Sequence, residues 1–294
     1  MAVLTNEFIK QLCAKLCACC TTEHEARQEA MILLAHVMQI NQAQLLARTS
    51  ITLTKPHQQQ LDQELHARID EHKPLAYILG SVPFCNLDIL VEPPILIPRP
   101  ETEEWVSWLI EQCTPVRNQA CTILDLCTGT GCIALALAQA LPHARVTGVD
   151  KNPTAIALAQ KNKDHNALSN VEFVQGDLCA PLPQDICYDL IVSNPPYIAE
   201  KEYQSLAPEI THWEDKQALV APNDGLEFYQ RLAYEAARFL CPESIFSGCN
   251  LPRMVVELGT EPEKVADIYR KAGFSRVKIH YDLQDKERWL AARI

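Results

Sequence analysis

From residue 121 onward, strand-length apolar runs alternate with helix-length segments, and this alternation limits the fold more than any other feature of the chain. Strands are expected over 121–126, 144–149, 171–174 and 188–192, with helices over 131–140 and 153–165 between them. A strand that returns to its own sheet by way of a helix must cross over, so the pattern predicts a parallel sheet with helices on both faces. Beyond a long loop it continues as a helix over 226–240, a strand over 254–258, a helix over 262–272 and strands over 276–281 and 288–292. The sequence has no internal repeats and no low-complexity tracts.

The first 75 residues read differently. Ile9, Leu12, Cys13, Leu16, Cys17 and Cys20 recur at the spacing of one helical face, which predicts an amphipathic helix whose cysteines pack as small hydrophobes. Thr22 and Glu25 form a capping box ahead of a second helix carrying Ala26, Ala30, Leu33, Leu34 and Val37, and a third helix is expected over 56–69. His24, His36, His57, His66 and His72 form no pattern with carboxylates or thiols, so no metal site is expected. Residues 80–98 switch to apolar alternation with prolines, the signature of a hairpin linker, and Arg99-Pro100-Glu101-Thr102-Glu103 opens a helix running to about 113. Its acids suit the positive end of the helix dipole.

The 294 residues carry a net charge of −11 and are 48% hydrophobic, which describes a globular chain with little affinity for phosphate backbones. No run is long enough for a membrane helix, and Met1-Ala2-Val3-Leu4-Thr5-Asn6 lacks the plan of a secretory signal, so a cytoplasmic location is expected. Outside Cys13, Cys17, Cys19 and Cys20 the cysteines are scattered without paired C-x-x-C, which predicts reduced thiols.

Leu124-Asp125-Leu126-Cys127-Thr128-Gly129-Thr130-Gly131-Cys132 turns from strand into helix, and Asp150 ends the next strand, 21 residues after Gly129. Gly129, Gly131 and Ala134 approximate a dinucleotide fingerprint, in which Asp150 would take the ribose of NAD. The same residues suit S-adenosylmethionine. Asp125 precedes the glycines, Asp150 would accept from both ribose hydroxyls, and Asp177, ahead of Leu178, would accept from the adenine amine. Alternatively, Asp125 ties down the turn and Asp177 only forms one.

Asn194-Pro195-Pro196-Tyr197 separates these readings, because its two prolines fix their φ angles and hold the neighbouring carbonyls in place. The Asn194 side-chain oxygen and the Pro195 carbonyl can then accept both hydrogens of a planar –NH2, with the Tyr197 ring stacked on the group that carries it. A nicotinamide enzyme has no use for such a cup. Here the chain resembles amino-methyltransferases that use S-adenosylmethionine and carry an [N/D]-P-P-[Y/F/W] motif, and the acceptor is either a protein amide or a nucleobase.

With Ile97-Pro98-Arg99-Pro100-Glu101-Thr102-Glu103 added, the chain resembles the HemK/PrmC family, protein-(glutamine-N5) methyltransferases of class I peptide release factors. The resemblance implies a class I, Rossmann-like α/β methyltransferase with a seven-stranded sheet, a small all-helical N-terminal domain and a β-hairpin linker. The corresponding divisions are a substrate-docking domain at 1–75, a linker at 76–98 and the methyltransferase domain at 99–294. It implies methylation of the Gln in a Gly-Gly-Gln loop of a release factor; a monomer that binds neither DNA nor membrane is expected. Asp125, Cys127, Thr128, Gly129, Thr130, Gly131, Asp150, Asp177, Leu178 and Asn194 would hold the cofactor. Asn194, Pro195, Pro196 and Tyr197 would hold the glutamine, with Glu101 and Glu103 bordering the same pocket. An adenine-N6 methyltransferase shares the N-P-P-Y motif and is the alternative; a non-enzymatic binding protein would not need both motifs intact. Two departures stand out: Cys127 replaces a common family glycine, so φ > 0 is not expected there, and 241–252 is longer than the family's usual turn.

Overall fold

The computed structural model describes residues 3–259 and 261–294; Met1 and Ala2, which open the segment read against a secretory signal, lie outside it, as does Thr260. The chain forms two compact units, Met1–Gly80 with Ala207–Trp213, and Ser81–Leu206 with Glu214–Ile294.

The first unit is built on helices Thr5–Leu16, Glu23–Val37, Gln42–Leu46, Lys55–Ile69 and Leu75–Leu79. Ile9, Leu12, Cys13 and Leu16 are buried as their spacing predicts, but the helix stops at Leu16, leaving Cys17 exposed and Cys20 half-buried beyond its end. Thr22 accepts from Glu25 N at 3.1 Å, while the Glu25 carboxylate reaches back to the amide and hydroxyl of Thr21, so the capping box is offset by one residue. Buried Arg68 donates to both oxygens of Glu29 at 2.8 Å and to Glu209 at 2.9 Å. Trp213 Nε1 donates to the Glu71 carbonyl at 2.9 Å, so Ala207–Trp213 packs as part of this unit although it comes from the loop after Tyr197. Cys19, Cys20 and Glu29 approach one another within 4.8 Å, yet the Glu29 charge is already met by the Arg68 guanidinium.

The second unit begins with an antiparallel hairpin, Ser81–Phe84 and Leu87–Leu90, turning through Cys85 and Asn86 at φ 47° and 65°. Such a turn matches the twist of its strands. Helix α1 (Pro100–Gln112) leads into strand β1 (Cys121–Leu126), followed by α2 (Cys132–Ala140), β2 (Ala144–Asp150), α3 (Pro153–His165), β3 (Val171–Gln175) and β4 (Leu190–Ser193). After the long loop come α4 (Glu227–Tyr234), β5 (Met254–Glu257), α5 (Pro262–Lys271), β6 (Ser275–Tyr281) and β7 (Glu287–Arg293). They form one seven-stranded sheet in the order β3-β2-β1-β4-β5-β7-β6, parallel except for β7, which runs antiparallel to both neighbours. Successive residues of β1 feed opposite cores, Ile123 packing with Trp105 and Ile133, and Leu124 and Leu126 packing with Ile191 and Met254. Burial on both faces accounts for the continuous apolar runs in the sequence.

Two expectations fail here. The helix expected over 226–240 ends at Tyr234 and gives way to a 3-10 turn, Ala236–Phe239, because the chain leaves the helix axis to pair with Tyr188: Tyr188 N donates to Phe239 O and Cys241 N to Tyr188 O. That pairing brings Cys187 and Cys241 into a disulfide with Cα atoms 4.9 Å apart, where the scattered cysteines predict only free thiols. The unusual 241–252 segment is anchored by buried Arg253, which donates to the carbonyls of Asp189 and Cys241 and to Ser247 Oγ. Among the described residues no helix is long and apolar enough to cross a membrane.

Candidate functional site

The strand order reverses at β1, which lies between β2 and β4, so a crevice opens beyond the carboxyl ends of these strands. A cavity of about 640 Å³ occupies it, within the usual range for small-molecule sites. Its walls include Cys127 and Gly129 after β1, Asp150 at the end of β2, Asp177 and Leu178 after β3, and Asn194 and Pro196 after β4.

Asp150 is a fixed acceptor. Oδ2 takes the Gly129 amide at 2.9 Å and Oδ1 the Asn152 amide at 2.9 Å, so each oxygen keeps a lone pair for a hydroxyl in the cavity. Burial raises its pKa, while these same amides pull it down.

Asp125 plays the tying role. It is fully buried and absent from the cavity walls, with Oδ2 accepting the Thr128 hydroxyl at 2.5 Å and the Ala134 amide at 3.2 Å. Thr128 and Thr130 are buried as well, and a side chain on Gly131 would meet the Phe173 ring at 2.8 Å, so only Cys127 and Gly129 of the turn reach the cavity. Oδ1 of Asp125 has no partner among the described residues, and desolvation lifts its carboxyl to about 7. Since an unfolded aspartate titrates near 4, the folded state keeps this proton between about pH 4 and 7, and its contribution to stability is lost as pH rises through 7, at up to about 1.4 kcal/mol per pH unit. Urea unfolding of Asp125→Asn is therefore expected to show a shallower stability loss between pH 5 and 8 than the wild type. An unchanged slope would assign the effect to Asp150 and Glu257, whose pKa values burial also raises.

Cys127 corrects a further expectation: its φ is 62°, in the left-handed region that costs an ordinary residue about 1–2 kcal/mol. The turn demands it, because Thr128 N is bound to Val149 O at 3.0 Å and Gly131 N to Thr128 O at 2.8 Å. A glycine there would carry no such cost.

Asp177 accepts from Arg231 of α4 at 3.1 Å, and Arg231 also pairs with Glu235 at 3.0 Å. The Arg231–Glu235 spacing was the available signal for this residue. Leu178 beside it is buried at φ 49°.

Asn194 Nδ2 donates to Thr102 Oγ1 at 3.2 Å, and the Thr102 hydroxyl donates to Glu257 Oε2 at 2.5 Å. Glu257, almost wholly buried at the end of β5, also accepts Trp105 Nε1 at 2.9 Å and the Tyr197 hydroxyl at 3.3 Å. Pro195 and Tyr197 do not line this cavity; the Tyr197 amide donates to Leu219 O at 3.2 Å, and Gly259 packs so closely on its ring that an added Cβ would lie 2.3 Å away. Neither Glu101 nor Glu103 lines the cavity. Glu103 Oε1 accepts the Cys85 amide at 2.8 Å and so anchors the hairpin turn, while Glu101 adds to the Asp282 hydrogen bond that, against desolvation, raises the pKa of Arg288. The residue of that first turn which faces inward is Thr102, between them.

Residues 117–282 match the model described as a methyltransferase domain, and residues 10–80 match the PrmC N-terminal domain. A release factor glutamine methyltransferase of Geobacter sulfurreducens is 39% identical over 231 residues, 78% of this chain and 76% of the relative. Its counterpart in Salmonella typhimurium is 36% identical over 268 residues, 91% of this chain and 92% of the relative. The solved structure of the hMettl16 catalytic domain in complex with MAT2A 3'UTR hairpin 6 covers 84% of both chains with a TM-score of 0.51 at 19% identity, a likeness of fold alone. The chain is a methyltransferase and belongs to the HemK/PrmC family of release factor glutamine methyltransferases.

Proposed function

We propose that the protein transfers a methyl group from S-adenosylmethionine to the N5 side-chain amide of the glutamine in the Gly-Gly-Gln loop of class I release factors. The observation that carries the reading is the position of Asn194: an amide acceptor on the wall of the cavity, held by Thr102, in a chain whose relatives are named release factor glutamine methyltransferases. The cofactor supplies an electrophilic methyl on a cationic sulfur. The residues present suit it: Asp150 offers aimed lone pairs to ribose hydroxyls, Asp177 offers an acceptor for an amine, and the half-buried Cys127 and Gly129 on the cavity wall can approach an amino-acid moiety. We assign Asn194 Oδ1 and the Pro195 carbonyl as acceptors for the two hydrogens of the glutamine –NH2, with Pro196 and Tyr197 completing the cup.

An amide nitrogen is a weak nucleophile because its lone pair is delocalised into the carbonyl. Accepting both N–H groups raises the electron density on nitrogen and aims its lone pair, so orientation and fixed dipoles carry the rate without a strong general base. The proton leaves after transfer, when nitrogen is far more acidic. The helical unit, which contributes no group to the cavity, is assigned to docking the protein substrate.

The test is mass spectrometry of a release factor incubated with the protein and labelled cofactor beside a DNA control; label on the glutamine is expected, and label only as N6-methyladenine would sink the proposal. Asp150→Ala is expected to weaken cofactor binding by about 1.5–3 kcal/mol, since ribose hydroxyls lose a charged acceptor. An unchanged calorimetric Kd would leave Asp150 as no more than a clamp on Gly129 and Asn152.

A further inference from the structure

We infer that Glu257 and Thr102 form an orientation relay that locks the Asn194 side chain with its carbonyl oxygen toward the cavity, a role that rests on the functional reading above for what this oxygen receives. The amide of an asparagine can sit either way round, and which end faces a substrate is decided by its hydrogen-bond partners. Here the partners leave one choice. Trp105 Nε1 can only donate, and with the Tyr197 hydroxyl donating to the other oxygen, Glu257 is met by donors on both oxygens and acts as an accepting carboxylate. The single hydroxyl hydrogen of Thr102 is thereby committed to Glu257, at 2.5 Å, and its oxygen is left to accept. The only side-chain donor of Asn194 is Nδ2, which occupies that place at 3.2 Å. The reverse orientation would set two acceptors against each other. Asn194 Oδ1 accepts from no donor among the described residues, and Asn194 lines the cavity.

The burial pattern supports the directionality. Glu257 is 1% exposed and Thr102 2% exposed, so neither hydrogen bond competes with bulk water, and the carboxylate is held by three donors from α1 and the N-P-P-Y segment. Thr102 and Glu257 do not line the cavity, and act as positioning residues. Without them an amide rotated by half a turn would present –NH2 to a substrate –NH2, which it cannot accept.

A double-mutant cycle separates this role from simple packing. Thr102→Val keeps the shape and removes the acceptor, and is expected to slow single-turnover methyl transfer to the release-factor glutamine about tenfold to a hundredfold, with cofactor Kd and release-factor KM within about twofold. Thr102→Ser restores the hydroxyl and is expected to stay within about threefold of the wild type. In an Asn194→Ala background, Thr102→Val should cost no more than about twofold further, because the relay acts only through Asn194. Additive losses, or a Thr102→Val enzyme at the wild-type rate, would overturn the relay. A second readout needs no substrate: the side-chain amide 15N signal that disappears in Asn194→Ala should shift and exchange faster with solvent in Thr102→Val, and an unmoved signal would equally overturn it. If that signal responds while the wild-type protein puts no methyl on glutamine, the relay stands and the functional reading is what fails.

Discussion

Asn194→Ala is expected to lower the single-turnover methyl-transfer rate by about 10²–10³, the usual consequence of removing one preorganised polar contact to a reacting group, while cofactor affinity shifts by no more than a few-fold. Selectivity follows from position: Asn194 sits on the β4 side of the crevice, whereas the Gly129 and Asn152 amides that hold Asp150 lie on the β1 and β2 side. Asn194→Asp should do no better. A carboxylate has no N–H to give the Thr102 oxygen, and its charge favours the cationic ground state over a transition state in which that charge is being dispersed. A variant that keeps more than about a tenth of the wild-type rate would make Asn194 a strand-end cap rather than a ligand of the glutamine.

Much of the second unit is legible in the sequence because its strands are buried on both faces and its crossovers are helical, so each element leaves an uninterrupted apolar run of the right length. The observed strands Cys121–Leu126 and Val171–Gln175 and helix Pro153–His165 fall within a residue of the ranges read from pattern alone. What pattern cannot carry is contact across distance. The Cys187–Cys241 bridge spans 54 residues, and the pairing of Tyr188 with Phe239 and Cys241 that ends α4 early depends on a partner no local period announces. Likewise Glu209 and Trp213, which read as loop, owe their places to Arg68 and the Glu71 carbonyl.

Asp150, Asp177 and Asn194, which line the cavity, stand out in the sequence because each lies at or just beyond the end of a strand at the crevice. The chain's acids misled elsewhere: Glu101 and Glu103 drew attention while the buried Thr102 between them makes the contact to Asn194. Glu257 did leave a signal. It terminates the apolar run Met254-Val255-Val256, where an ionisable group must be met by several donors to be tolerated. Cys127 shows the opposite limit, since a residue can occupy φ 62° in a pinned turn without its type disclosing it.

Gly225→Ala is expected to be the most damaging single methyl in the second unit. Gly225 has φ 87°, and a Cβ built on it would lie 2.2 Å from the Tyr197 carbonyl oxygen and 3.1 Å from the carbon. Backbone cannot swing aside as a side chain does, and Tyr197 is further held by its amide to Leu219 O and its hydroxyl to Glu257. The left-handed penalty and the overpacking together predict a stability loss of about 2–5 kcal/mol in urea unfolding. What relaxation is possible must move Tyr197, and with it the adjoining Pro195 and Pro196, so the surviving folded protein should also lose methyl-transfer rate more than cofactor affinity. Gly248→Ala is the matched control: nothing lies within 4 Å of its added Cβ, and it should stay within about 0.5 kcal/mol of the wild type. Equal stabilities for the two variants would mean that the loop bearing Gly225 is not held against Tyr197 in solution.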